Sequence, residues 1–533
     1  MKMTFIGAAH EVTGSCTYLE VGDKKGVVDY GMEQGKDLFE NVGLPVPASQ
    51  LDFVLLTHAH IDHSGKLPLL YKQGFRGSVY SSAATVSLCA IMLADSAHIQ
   101  MQEAEWKSRK SLRNGGPEIE PLYDIDDAEA LMKLMIPCDY DKVIQVNDCV
   151  SVRFTDVGHL LGSAAIEVWL TENGQKRKLC FSGDVGNINQ PILRDPQSVR
   201  DTEYLVLEST YGDREHDMER IDYVSALAQR IQTTLDAGGN LVIPSFAVGR
   251  TQEMLYFIRE IKEKGLVTGH GDFPVYVDSP LAIEATKVFL QCDTQFLDDE
   301  MRAVIRSGVN PIVFPGLELS VSQEDSKAIN EDKTPKVIIS ASGMCDAGRI
   351  RHHLKHNLWR KESRVLFVGY QSVGTLGRVL VDGAAKVKLF NEDIQVEAAI
   401  DVLPGVSGHA DKKGLIAWLQ SFEQKPKLVF VNHGDPEAAD SFTACLNTEL
   451  GYKAAAPYSG ACFDLLAEQF ISLPEGRPIA PKTKAQGVNR VFTALVEAAE
   501  RLLRVCRSME GRPNKLLESY TKKINAVSDD MEK

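Results

Sequence analysis

Six consecutive residues, His58-Ala59-His60-Ile61-Asp62-His63, gather three imidazoles and a carboxylate within about one turn of chain. Neutral imidazole nitrogen and anionic carboxylate oxygen suit a borderline divalent ion such as zinc. The preceding residues, Phe53-Val54-Leu55-Leu56-Thr57, read as a short buried strand, so the cluster sits where a strand ends. Alternate residues of an extended segment share a face, which lets His58 and His60 bind one ion. A helix is expected to begin near Ser64-Gly65-Lys66. The turn into it re-aims Asp62 and His63 at a second ion roughly 3.5–4 Å away, the separation of two-metal hydrolases.

Further ligands must come from other strand ends. His159 follows the strand-like Val150-Ser151-Val152-Arg153-Phe154, Asp184 follows Lys178-Leu179-Cys180-Phe181, and His433 follows Leu428-Val429-Phe430-Val431-Asn432. His159 would complete a three-nitrogen set around the first ion, Asp184 can bridge both ions, and His433 can cap the second. Taken singly, each reads equally well as a turn or capping residue. Asp29, closing Val27-Val28-Asp29-Tyr30-Gly31, either orients a ligand histidine or stabilises its own turn.

The HxHxDH motif followed by His159 and Asp184 resembles the metallo-β-lactamase superfamily. Glu208-Ser209-Thr210-Tyr211-Gly212-Asp213-Arg214, Ser407-Gly408-His409-Ala410 and Val431-Asn432-His433-Gly434-Asp435 resemble motifs A, B and C of the β-CASP nucleases. The nearest likeness is to bacterial and archaeal relatives of the cleavage and polyadenylation endonuclease subunit. Ile243–Glu253, Val277–Ala282 and Ser340–Met344 match the same family, and the likeness runs from residue 1 to about 465.

That resemblance implies two Zn²⁺ ions per chain: His58, His60 and His159 on one, Asp62, His63 and His433 on the other, Asp184 shared. It implies metal-bridged hydroxide as the nucleophile on an RNA phosphodiester, His409 as the general acid, and Glu208 as the carboxylate that keeps His409 protonated. With Asp62, which also ligates, these form the implied catalytic set. Arg250, Ser279, Ser342 and Gly343 fall in matched stretches and are expected to touch single-stranded RNA. Histidine in motif C, here His433, marks RNA-directed rather than DNA-directed members. Asp435 departs from the family, whose members carry glutamate there; the shorter side chain alters what that position can reach without touching the ligand itself. Cutting is expected to be endonucleolytic. The alternatives are 5′-exonuclease action of RNase J type, a non-nuclease hydrolase acting on a thioester, lactam or lactone, and a non-catalytic scaffold, which an intact ligand set argues against.

Composition sets limits. A chain of 533 residues with 44% hydrophobic content implies two or three domains with ordinary cores. Ten cysteines without a CxxC pair argue against a disulfide framework, so a reducing cytoplasm is the expected compartment. No signal peptide is expected ahead of the first strand, Met1–Gly7, and no run approaches the ~20 apolar residues of a membrane span. A net charge of −15 opposes a nucleic-acid-coating role. RNA contact is therefore expected in a confined groove, with Arg250, Arg349, Arg351 and Arg378, each near a glycine, as candidate basic contacts.

The expected fold class is α/β: a metallo-β-lactamase αββα sandwich carrying an inserted β-CASP parallel α/β domain and a helical C-terminal extension. The sandwich takes residues 1–207 and 372–465, the insert 208–371 and the extension 466–533. A long helix from about Ala83 to Arg113 interrupts the first part and ends at Asn114-Gly115-Gly116-Pro117. Four short apolar runs, at Leu241–Pro244, Phe273–Val277, Val337–Ser340 and Val365–Val368, alternate with helical stretches and predict a parallel sheet. In the extension, Val488, Val491, Phe492, Leu495, Ala499, Leu502, Leu503 and Cys506 recur at helical spacing, and a second helix carries Leu516, Leu517 and Tyr520. These predict either a self-packed hairpin or a homodimer contact.

Overall fold

The structure, a computed structural model, describes residues 1–34, 38–215, 222–372, 374–403 and 407–479, then 499, 502, 505, 506, 509 and 512–531. Short runs of apolar residues form strands that assemble into three main sheets. The first orders eight strands: Gln469–Ser472, Cys462–Asp464, Lys2–Gly7, Cys16–Val21, Lys24–Val28, Phe53–Leu55, Ser78–Ser82 and Met135–Cys138. The second orders seven: Ala454–Ala455, Leu428–Asn432, Tyr204–Glu208, Gln175–Phe181, Ala164–Glu172, Val150–Asp156 and Ile144–Asn147.

These two sheets share one apolar layer, in which Phe5 and Val54 of the first meet Phe154, Ile166, Phe181 and Phe430 of the second. Because side chains alternate along a strand, Val429 and Val431 turn the other way, onto Leu415, Trp418, Phe442 and Leu446 of helices Lys412–Gln420 and Pro436–Thr448. Leu67, Leu70, Leu88 and Leu93, on helices Leu67–Lys72 and Ala83–Arg113, continue the core on the first sheet's side. The result is helix, sheet, sheet, helix, as expected.

The helix Ala83–Arg113 has the expected limits. Ser82 caps it by accepting from Thr85 N, and the Ser82 and Thr85 hydroxyls both donate to Gly162 O, which ties the helix start to the loop bearing His159. Among the described residues this helix is long and apolar enough, by length and composition, to cross a membrane. Its Leu88, Cys89, Leu93 and Ala97 are instead buried within the protein.

The third sheet is parallel throughout, in the order Leu317–Leu319, Val275–Val277, Val337–Ser340, Leu241–Pro244, Arg364–Phe367, Ala399–Val402. Its last strand lies beyond the expected boundary at 371. Ala399–Val402 is a half-exposed edge strand, with Asp401 paired to Arg364, and so lacks the continuous apolar run that marks its neighbours. The main compact unit likewise continues to Arg477 rather than 465, because Gln469–Ser472 pairs antiparallel with Cys462–Asp464. Pro478–Lys533 is a separate unit with a helix over Asn514–Met531, on which Leu516, Leu517 and Tyr520 lie. Of the upstream helix, only Ala499, Leu502 and Cys506 among the expected positions are described, each helical; the rest lie outside the described residues.

Phe430 is central to the apolar layer, with its ring 5.2 Å from Phe5, 5.1 Å from Phe463 and 6.5 Å from Tyr204. It thereby fixes the strand that delivers His433. Phe430→Ala is expected to lower stability by about 3–5 kcal/mol, the range for truncating a buried aromatic ring. The midpoint of urea unfolding followed by tryptophan fluorescence measures this, and an unchanged midpoint would exclude the packing role.

Candidate metal centre

Every histidine and aspartate at the centre stands at or just after a strand end along one edge of the two sheets. Phe53–Leu55 leads to His58, Lys24–Val28 to Asp29, Val150–Asp156 to His159, Gln175–Phe181 to Asp184, and Leu428–Asn432 to His433. The expected helix follows the cluster at Leu67–Lys72, with Lys66 at its N-cap, and a four-residue helix, Ile61–Ser64, comes before it with His60 at its N-cap and Asp62 and His63 inside it. This puts Asp62 and His63 on a different heading from His58 and His60.

Two donor groups result. His58 Nε2 and His159 Nε2 each lie 3.1 Å from His60 Nδ1, and each 3.5 Å from Asp184 Oδ2. A tetrahedron with metal–nitrogen bonds of about 2.0–2.1 Å has edges of roughly 3.3–3.4 Å, so the four atoms already stand at coordination spacing. In the second group His63 Nε2 is 3.0 Å from His433 Nε2 and 3.3 Å from Asp184 Oδ1, while Asp62 Oδ2 is 3.6 Å from His433 Nε2. Asp184 gives one oxygen to each group. Its Oδ1 is buried and makes no hydrogen bond, which is the state expected of an oxygen reserved for a cation. The donor chemistry and spacing therefore fit divalent metal.

The opposite edges of the rings are tied down. His63 Nδ1 is 2.7 Å from Asp29 Oδ2, and Asp29 also accepts from Thr57 N at 2.8 Å and Thr57 Oγ1 at 2.9 Å. His159 Nδ1 lies 2.9 Å from Gly408 O, and His433 Nδ1 lies 3.2 Å from Thr210 Oγ1. Such partners select the tautomer that leaves the inward nitrogen free. Thr57, Thr210 and the Gly408 carbonyl went unread in the sequence. Thr57 and Thr210 adjoin legible motifs, but a backbone carbonyl carries no sequence signal.

Electrostatics divide the rings. Burial holds His58, His60 and His159 below the ordinary histidine value, in the neutral form that ligates. Burial also pulls on His63 and His433, but carboxylates outweigh it: Asp184 and Asp29 lift His63 well above, and Asp184 and Asp62 raise His433. Burial pushes Asp184 up, yet His433, His63 and His58 hold it well below the carboxylate range. The site thus favours positive charge at its centre.

Beside it stand His409 and Glu208. Glu208 Oε1 accepts from Val185 N at 2.6 Å, and its Oε2 lies 3.3 Å from His409 Nδ1. Burial lowers the His409 pKa, but the Glu208 charge and hydrogen bond overcome it and raise the value to about 9. The loop carrying His409 docks on the Asp184 loop through Ala410 N to Val185 O at 2.7 Å. Gly186 lets the Asp184 loop meet the His159 loop, since a Cβ there would stand 2.2 Å from Gly158 O.

The other expected site residues lie in the third-sheet region. Arg250 is buried and its guanidinium donates to Glu253, so a phosphate contact would require it to leave that partner. Ser279 is buried and caps helix Pro280–Gln291 by accepting from Ala282 N. Ser342 and Gly343 open the loop that follows strand Val337–Ser340, with Gly343 against Phe246. Arg349 binds Asp278 and the carbonyls of Ser320 and Val321, Arg351 stacks on Phe390, and Arg378 pairs with Asp382.

Sandwich, insert and donor set together define a metal-dependent hydrolase of metallo-β-lactamase type. The chain matches the metallo-beta-lactamase superfamily over residues 11–270, the Beta-Casp domain over 251–380 and the Zn-dependent metallo-hydrolase RNA specificity domain over 393–457. It is 35% identical over 440 residues to Ribonuclease TTHA0252 of Thermus thermophilus, covering 82% of this chain and 94% of that one. It is 29% identical over 451 residues to Transcription termination factor FttA of Methanosarcina mazei, covering 82% of this chain and 67% of that one. The chain belongs to the β-CASP ribonuclease family.

Because Asp184 alone lends an oxygen to both groups, Asp184→Ala is expected to lose more metal than any single histidine variant. His433→Ala should empty the second group and spare the first. Elemental analysis of the dialysed proteins tests both, and full metal content in Asp184→Ala would overturn the shared role.

Proposed function

We propose that the protein is a zinc-dependent ribonuclease that holds two Zn²⁺ ions per chain and hydrolyses internal phosphodiester bonds of single-stranded RNA. The observation that carries this reading is the His409–Glu208 pair, 3.3 Å apart, at the rim of a double donor set sharing Asp184. When bound, the two ions would lower the pKa of a water between them toward neutrality and polarise the phosphate oxygens. The chain's own residues do the rest. His58, His60, Asp62, His63, His159, Asp184 and His433 hold the metal, with Asp29 fixing the His63 ring.

His409 supplies the proton for the leaving oxygen. Glu208 binds Nδ1, and the side chain is 22% exposed, enough to be met by a strand in the cleft. A general acid must be protonated to act, and Glu208 secures that at neutral pH by raising the His409 pKa. The names of the similar proteins, a ribonuclease and transcription termination factors, agree with RNA as the substrate class. Ser342 and Gly343, on the loop that packs against Phe246, are retained as RNA contacts in this reading.

Incubation of RNAs labelled at either end, with and without a 5′ monophosphate, tests the mode of cutting. Internal fragments independent of the 5′ group are expected. Mononucleotides released only from monophosphorylated ends would instead assign 5′-exonuclease action, and turnover of a thioester with none of RNA would overturn the reading.

His409→Ala is expected to keep its metal and bind RNA while cleaving about 10²–10⁴-fold more slowly. Glu208→Gln removes the charge that raises the His409 pKa. Activity is lost as pH rises through that pKa, so the alkaline limb of the variant's rate profile should move to lower pH. A pH–rate profile at saturating RNA checks this, and an unmoved limb would remove His409 from the proton-donor role.

A further inference from the structure

The turn between strand Leu241–Pro244 and helix Arg250–Glu263 contains one side chain that core packing does not explain. Phe246 is 44% exposed, whereas the next two residues, Ala247 and Val248, are buried in the core. The ring nonetheless has a rigid backing. A Cβ added to Gly343 would meet it at 3.0 Å, and one added to Gly369 at 3.7 Å, so the bare backbones of two separate loops lie against it. A side chain at Gly343 would displace the ring.

Both loops are fastened at that point. The buried Gln371 amide nitrogen lies 3.0 Å from Gly343 O, 3.1 Å from Gly369 O and 3.0 Å from Tyr370 O. The Phe246 carbonyl accepts from Thr251 Oγ1 at 2.7 Å and from Thr251 N at 3.2 Å. Tyr370, beside Gly369, is 49% exposed and stands within electrostatic reach of Tyr211 and Arg214. The location is the cleft. Three residues past Phe246, a Cβ added to Gly249 would stand 3.3 Å from Leu160, next to His159, and the Tyr211 ring centre is 6.1 Å from that of His409.

We propose that Phe246 is a stacking platform for an unpaired base of the strand bound at the metal centre. The inference rests on the ribonuclease reading above and adds what positions the strand. In a chain of net charge −15, the candidate phosphate contacts Arg250, Arg349 and Arg378 are all paired to carboxylates. Base–aromatic stacking supplies affinity without charge and accepts any base, because every base has a π-face. A ring held by backbone on one side leaves its other face ready for a base, with little ordering left to do on binding. Stacking also demands an unpaired nucleotide, so the platform selects single strands over duplex.

The test uses the metal-loaded, full-length protein in a His409→Ala background, which keeps the RNA intact during measurement. Single-stranded RNAs carry 2-aminopurine at successive positions, and anisotropy reports affinity while probe quenching reports stacking. In the Phe246 parent the probe is expected to be quenched in one register. Phe246→Ala should bind about five- to hundredfold more weakly and lose the quenching. Phe246→Leu, which keeps apolar bulk, should lose it too, and Phe246→Tyr should restore it; this pair decides the matter even where the alanine variant is unstable. Parental affinity and quenching in Phe246→Leu would overturn the platform and leave the ribonuclease reading standing. Failure of the Phe246 parent to bind any RNA would overturn both.

Discussion

The carboxylate of Asp184, buried among His58, His63, His159 and His433, is the group around which the rest of the structure is arranged. An uncompensated buried carboxylate costs several kcal/mol even after relaxation, so positive charge must be supplied beside it. The protein meets this by bringing imidazoles from three separate segments to its two oxygens, with His63 and His433 the ones whose pKa the carboxylates raise. Asp29, Thr57, Thr210 and the Gly408 carbonyl in turn hold the far sides of the rings. Filling the centre with metal exchanges mobile protons for fixed charge, which couples metal binding to the stability of the whole sheet edge.

That arrangement is possible because the strands bearing the site run the same way. Gln175–Phe181, Tyr204–Glu208 and Leu428–Asn432 are mutually parallel neighbours, so Asp184, Glu208 and His433 emerge along one rim. His433 adopts φ +52, an unfavourable conformation for a residue with a Cβ. Its amide donates to Ala8 O at 2.8 Å and its carbonyl accepts from Ser209 N at 3.1 Å, so the first strand's exit and motif A both hold it there. The inserted parallel sheet serves the same rim. Its turn at Ser245–Gly249 rests on the His159 loop, and its loops at Gly343 and Gly369 converge on Phe246.

The acidic net charge and an anionic substrate are reconciled locally. The arginines named from sequence are committed to carboxylates, carbonyls or an aromatic ring. Arg349, for example, joins Asp278 to the carbonyls of Ser320 and Val321, while His353 approaches the other Asp278 oxygen at 2.7 Å. Positive potential would then fall to metal held at the donor set and to His409, whose pKa Glu208 raises. A substrate is drawn to the cleft rather than to the surface at large, which suits an enzyme that must engage one phosphate at a time.

Much of this was legible in the sequence because it is local. The HxHxDH string, the buried strands before His159, Asp184 and His433, the long helix Ala83–Arg113 and the four apolar runs of the insert are signals of residue type and period. Edge strands were not legible: Ala399–Val402 and Gln469–Ser472 owe their existence to neighbours already in place, and they moved two boundaries. Nor could spacing tell that the short helix starts at Ile61, that His60 presents Nδ1 where His58 and His159 present Nε2, or that Arg250 is spoken for by Glu253. Phe246 carries no signal in the sequence that sets it apart from the rest of the matched stretch Ile243–Glu253. The sequence by itself determined which chemical groups are present and that they lie at strand ends. Their distances, ring orientations, charge states and exposure were decided only in the tertiary structure, because each depends on atoms brought together from loops hundreds of residues apart.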